Sequence, residues 1–242
     1  MGFKKESGTF TVLAPNFQTL KVMIEGNAPL MINRFSMKMR RQIEDKQTAK
    51  DHVSRKRSPK DYKAEFDGAR YISRQGWDGF YAGSIRNAMI GAARFVDGLQ
   101  MTKAKGFLFI EADGFDKDDG TPLIKIIGRK PIHDTRPVRL ESGVADLRNR
   151  PRWDKWSAEL RIKFDADHIS ANDVVNLLAR AGSQVGICEG RPGAPNSFGI
   201  GFGTFAVKSK AKTAKASKPV KASKRLVVAK GTNGHDRPEV RA

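Results

Sequence analysis

The stretch SAELRIKFD, residues 157–165, alternates without a fault. Ala158, Leu160, Ile162 and Phe164 face one way, and Glu159, Arg161, Lys163 and Asp165 face the other. Successive side chains of a strand point to opposite faces, so this segment must bury one face of a sheet and leave the other to solvent. Close behind comes ISANDVVNLLARAG, residues 169–182, with Val174, Leu177, Leu178 and Ala181 on one helical stripe. Ser170 stands three before Asp173, as in a capping box, and Gly182 is placed to stop the helix. A one-sided strand followed by a one-sided helix demands an α+β fold in layers.

The rest of the first 207 residues repeats these two patterns. In QTLKVMIEG, Leu20, Val22 and Ile24 oppose Lys21, Met23 and Glu25, a half-buried strand. In GSIRNAMIGAARF, Ser84 is expected as helix cap, with Ile85, Ala88, Met89, Ala92 and Phe95 on the buried face and Arg86 and Arg94 off it. GFLFIEA and PLIKIIG read as strands on either side of the turn DKDDGT, and FGTFAV as a last strand. The order contains strand, helix, strand, strand, helix, strand. That is the ferredoxin-like βαββαβ arrangement, in which two helices cover one sheet face and the other is free to meet a partner.

Charge limits what that partner is. The chain has 242 residues, 45 basic and 26 acidic, for a formal net charge of +19. Folding does not require such an excess, and a polyanion, most often nucleic acid, is its usual reason. The excess falls in two blocks. RFSMKMRRQIEDKQTAKDHVSRKRSPK, residues 34–60, lacks strand alternation and reads as a basic insertion after the first strand, the whole insertion spanning about residues 34–75. From Lys208 to Ala242, eleven basic and two acidic residues give 11 − 2 = +9 in a Lys/Ala/Ser/Pro-rich tail that has too little to bury and is expected to be disordered. A lone cysteine, Cys188, excludes an intrachain disulfide and a thiolate zinc site and suits a reducing compartment, so a cytoplasmic setting is expected. The opening residues lack a signal-peptide core and no apolar run approaches a membrane span. No cofactor and no metal are expected.

VGICEGRPGAPNSFGIGFGTF, residues 185–205, holds six glycines. Glycine lets backbones approach closely, and its N–H groups can face an anion; a set of turns packed on the chain's own helices is the other reading. Val185-Gly186, Arg191 and Phe198-Gly199-Ile200-Gly201 resemble the glycine-rich loop of the RAMP (repeat-associated mysterious protein) superfamily, with Cys188 where that pattern has a second glycine. Gly83-Ser84-Ile85-Arg86, opening an alanine-rich helix, is similar to the backbone subunits of CRISPR effector complexes in that superfamily, as is a basic insertion after the first strand. The resemblance covers roughly residues 15–207 and fits a phage or mobile-element relative equally well. It implies a ferredoxin-like, RRM-like core, binding along single-stranded nucleic acid with RNA favoured, and assembly as a homo-oligomer or with sister effector subunits.

Expected phosphate-binding residues are Arg34, Lys38, Arg40, Arg41, Arg55, Lys56, Arg57, Arg74, Ser84, Arg86, Gly186, Arg191, Gly199 and Gly201. Tyr71, Trp77, Phe80 and Tyr81 are interleaved with arginines and are the candidates for base stacking. Candidates for catalysis are few: Asp51 and His52 in the insertion, and His133, whose neighbour Asp134 would complete an acid–base pair. The acidic run Asp113, Asp116, Asp118, Asp119 reads as an exposed hairpin turn rather than a calcium loop. Two alternatives stay open: a virion or nucleoid protein that neutralises DNA with its tail, and a metal-independent ribonuclease.

Overall fold

The alternating segment 157–165 occupies the middle of the main sheet. The computed structural model describes residues 14–35, 37–48, 59–139, 145–194 and 200–208. In chain order the elements are β1 (Phe17–Gly26), β2 (Leu30–Met31), α1 (Met37–Thr48), α2 (Tyr62–Gly68), β3 (Tyr71–Ile72), β4 (Asp78–Tyr81), α3 (Gly83–Ala92) and α4 (Met101–Phe107). They continue with β5 (Leu108–Glu111), β6 (Gly114–Phe115), β7 (Pro122–Lys125), β8 (Ile127–Gly128), β9 (Ile132–Arg139), β10 (Ala145–Trp153), β11 (Trp156–Asp165), α5 (Ala171–Arg180) and β12 (Phe205–Lys208). This is a mixed α+β fold with antiparallel sheets. Of the basic tail only Lys208, the end of β12, lies among the described residues.

The main sheet has the order β12–β1–β11–β5, with β8 also paired to β11. The two alternating strands register residue by residue, Val22 against Leu160 and Ile24 against Ala158. Their shared apolar face is shut: Ile24, Leu160 and Ile162 are 0% exposed. The same core takes Ile85, Ala88 and Met89 of α3 and Val174, Leu177 and Leu178 of α5. Each of the larger of these side chains contributes about 1.5–3 kcal/mol by leaving water. Ser170 caps α5 by accepting from the Asp173 N–H at 3.2 Å, worth about 1 kcal/mol.

Several local expectations are corrected. Ser84 does not cap α3: the cap position is Ala82, which offers no side-chain acceptor, and Ser84 is the second residue of the helix. Phe95 leaves the helical face because the chain tightens into a 3-10 turn at Ala93–Phe95, and it is 46% exposed. Gly182 does not stop α5. The helix widens into a π turn over Ala181–Val185 and ends at Gly186, φ 69°. Gly182 instead lets β12 pass, since a Cβ there would sit 2.2 Å from the Phe205 carbonyl oxygen. GFLFIEA and PLIKIIG do not form one hairpin: β5 joins β11, whereas β7 lies between β4 and β6 in a second, four-stranded sheet.

A third sheet, β2–β10–β9, is a long ribbon whose strands pair from Ala145 with Arg139 to Arg152 with Ile132. Trp153 and Trp156, at its junction with β11, are each 3% exposed and belong to the core. The Trp156 indole N–H donates to the Ala28 carbonyl at 2.9 Å. Within the insertion, α1 and α2 are helical, and Asp61 caps α2 by accepting from Lys63 and Ala64 N–H groups, both at 3.0 Å.

Candidate nucleic-acid interface

The glycine-rich segment is built to fold against its own chain. Gly186, Gly190, Gly201 and Gly203 all have φ between 66° and 77°, the left-handed region that suits glycine. Cys188 adopts φ 59° as the one non-glycine residue with positive φ among those described. It therefore adopts a backbone conformation that glycine more commonly takes. At Gly203 a Cβ would lie 1.9 Å from the Ile187 carbonyl oxygen. The amides are also committed: Gly186 donates to Ala181, Ile187 to Gly203, Glu189 to Met31, Gly193 to Val185, Phe202 to Gly190 and Gly203 to Pro29. The N–H groups of Gly186, Gly193 and Gly203 are thus not free to face an anion, because they already have carbonyl partners within the chain. Gly201 alone among these positions has open space where its Cβ would be. Gly199 lies outside the described residues.

The cations on this segment's flank come from the ribbon. Strand alternation puts Asp134, Arg136, Asp146, Arg148, Arg150 and Arg152 on one face. The opposite face carries His133 and Asn149 and is covered by α2. Asp134, 6% exposed, lies beneath Arg136 and Arg152 and accepts from both. Burial alone would raise its pKa, but the two guanidinium groups outweigh burial and hold its carboxyl below the usual range. Arg148 bonds Asp146 at 3.0 Å, and Arg150 pairs with Glu189 of the glycine-rich segment. Burial, then repulsion from Arg148, pushes the Arg150 guanidinium down to about 10, so it is still charged at neutral pH. Arg136 lies over the Phe202 ring, 4.8 Å from its centre. The ribbon and the glycine-rich segment therefore form one surface.

The expected site residues do not converge on that surface. Arg34 is 6% exposed, bonded to Asp116 and Asp118 at 2.7 Å each, and lies over the Tyr71 ring at 5.6 Å. Its phosphate-binding assignment is corrected to a structural ion pair at the root of the insertion. The hairpin-turn expectation holds, since residues 116–121 join β6 to β7 with Asp118 exposed, but Asp116 is corrected to a buried residue at 0% exposure. Arg40 and Arg41 are exposed on α1, Arg40 pairing with Asp119 at 3.0 Å. Lys38 is on α1 with its side chain undescribed, and Asp51, His52, Arg55, Lys56 and Arg57 lie outside the described residues. Arg86 donates from its Nε to the Leu108 carbonyl, at the start of β5, at 2.7 Å. Arg191 donates to the Cys188 carbonyl at 2.8 Å, and Arg74 is exposed.

Of the four ring candidates, Phe80 is corrected to a core residue at 0% exposure, edge-on to Trp156 at 6.2 Å. Tyr71 is half-buried against the core. Trp77 lies across Gly79 and Gly114, where added Cβ atoms would meet its ring at 2.9 and 2.8 Å, and Tyr81, 40% exposed, lies across Gly83. His133 stacks on Phe66 with ring centres 3.7 Å apart, and its Nδ1 is 3.1 Å from the Asn149 amide. Asp134 points to the other face of the same strand, so the expected acid–base pair does not form.

Ser84, inside α3, is in hydrogen-bond contact with the Cys188 sulfur. Burial pushes that thiol up to about 12, with Arg191 and Ser84 acting in the opposite sense. At pH 8 the thiol is protonated and a poor nucleophile. A disulfide reagent is expected to modify folded protein on the order of a hundredfold or more slower than guanidinium-unfolded protein; equal rates would contradict this environment.

The ribbon arginines are not among the expected phosphate-binding residues, although Arg148, Arg150 and Arg152 recur with the period of a strand. No protein-family profile matches the chain, and no curated protein matches it.

Proposed function

We propose that the protein binds single-stranded nucleic acid, RNA in preference to DNA, by contacts to the phosphate backbone. The observation that carries this reading is the arrangement of Arg136, Arg148, Arg150 and Arg152 on one ribbon face beside the glycine-rich segment. Arginine has five N–H donors, and the ion pairs seen here use one or two of them per residue. Side chains of Arg136 and Arg148 are 36% and 34% exposed, whereas Asp134 behind them is 4% exposed. The carboxylates hold the guanidinium groups in place, and the remaining donors face outward for phosphate oxygens. A formal net charge of +19 favours a polyanionic ligand over a neutral one.

The main sheet supports a ferredoxin-like, RAMP-like core in this reading. Its order β12–β1–β11–β5 is fourth, first, third, second when only the strands of the βαββαβ pattern are counted, with α3 and α5 sharing the core on one side. Assembly of several copies along one strand belongs to the same proposal.

Titration of a labelled single-stranded RNA against salt tests it. Log affinity is expected to fall linearly with log salt, by about 0.7 per neutralised phosphate. Arg136→Ala and Arg148→Ala should each lower affinity and flatten the slope by about one such contact. Removing residues 208–242 should weaken binding yet leave most of it. Affinity unchanged between low and moderate salt, or lost entirely with the tail, would refute the reading.

A further inference from the structure

The outward face of the main sheet carries two exposed rings set among cations. Phe17 on β1 is 40% exposed and Phe109 on β5 is 37% exposed. Their centres are 5.8 Å apart, with the ring planes at 76°. β11 runs between the two strands, and its Lys163 is registered with Phe109 on one side and Thr19 on the other. The Lys163 ammonium lies 4.7 Å from the centre of the Phe17 ring, and the Arg86 guanidinium, which reaches round the sheet edge, 5.4 Å from that of Phe109. Lys21, registered with Arg161, extends the cationic row. Arg161 is held by Glu111 at 3.5 Å and Asp113 at 3.2 Å. Among the described residues, Lys21 and Lys163 have no ion-pair partner.

We propose that this sheet face takes unpaired nucleobases, stacked on Phe17 and Phe109, with Lys163 and Lys21 meeting the phosphates that join them. The occupant follows from the mixture of groups. An apolar protein surface would cover the rings and strand two ammonium groups. An acidic peptide would match the ammonium groups and leave the rings bare. A nucleotide brings a π face and an anion together at the spacing of one residue. This inference rests on the nucleic-acid reading above and adds to it: the ribbon holds phosphates, and the sheet face holds bases.

Full-length protein is titrated with a short mixed-sequence RNA and with an abasic strand of equal length, which keeps the phosphates and lacks the bases. Wild type should bind the base-bearing strand on the order of tenfold or more tighter. The Phe17→Ala/Phe109→Ala variant should lose that preference while keeping its affinity for the abasic strand, and Phe17→Leu/Phe109→Leu, which keeps apolar area without a π face, should do the same. Phe17→Tyr/Phe109→Tyr should restore the preference. The residues are 40% and 37% exposed, so the alanine variant is checked by thermal melting, and the leucine and tyrosine variants, which keep apolar contact, separate loss of the π face from loss of stability. Equal binding of the two strands by wild type, or a preference that survives the double alanine change, overturns the inference and leaves the phosphate reading standing. No binding to either strand overturns both. A dimer that dissociates on double substitution with the preference intact assigns the face to a second copy of this chain and overturns the inference as well.

Discussion

Asp116→Ala is expected to destabilise the protein by about 3–5 kcal/mol, measured by urea or guanidinium unfolding. The Asp116 carboxylate is 0% exposed and accepts from the Arg34 Nη2 group at 2.7 Å and from the Asp118 N–H at 2.9 Å. Arg34 is itself 6% exposed. Alanine would remove the one fully buried carboxylate from a buried guanidinium, leaving it Asp118 at 2.7 Å and Asp119 at 3.7 Å, and would leave a turn without its internal acceptor. A single missing partner costs more than loss of the whole pair, because the surviving charge stays desolvated. Arg34→Met combined with Asp116→Ala should therefore recover part of the loss. Asp118→Ala, whose side chain is 38% exposed, should cost about 1 kcal/mol or less. If Asp116→Ala and Asp118→Ala cost the same, the burial argument is wrong.

The second large effect is expected at Gly203→Ala, about 3–4 kcal/mol. A side chain at φ 66° costs about 1–2 kcal/mol by itself. The added Cβ would also fall 1.9 Å from the Ile187 carbonyl oxygen, so backbone must move. That movement strains two hydrogen bonds, Ile187 N–H to Gly203 at 3.0 Å and Gly203 N–H to Pro29 at 2.8 Å, each worth about 1 kcal/mol. Gly201→Ala is the control. Its φ of 77° carries the same conformational cost, but nothing lies within 4 Å of the new atom, so about 1–2 kcal/mol is expected. Equal losses at the two positions would show that contact with Ile187 plays no part.

The two long strands and α5 were legible because periodicity is a local property. Residues 157–165 alternate, residues 171–180 repeat with helical spacing, and each signal needs only its own neighbours. What escaped depends on residues far along the chain. Asp116 reads as an exposed turn residue until Arg34, 82 positions away, is seen to enter the turn. Phe80 reads like Tyr81, its neighbour, although one is in the core and the other 40% exposed, because β4 presents them to opposite faces. The pairing of β7 with β4 and β6, in place of β5, is likewise a matter of which segments meet. The glycines of 186–203 leave two readings open in the sequence, approach to a ligand and turns packed on the chain itself. Spacing alone does not reveal that the backbone they approach is their own. The ribbon arginines carried a period-two signal, but its meaning required knowing that the other face was covered by α2.

Cys188 bends its backbone at φ 59° where a glycine would be expected. Holding a side chain in that region costs about 1–2 kcal/mol that a glycine would not. Any residue placed at this position has to accept the same left-handed backbone, whatever its side chain.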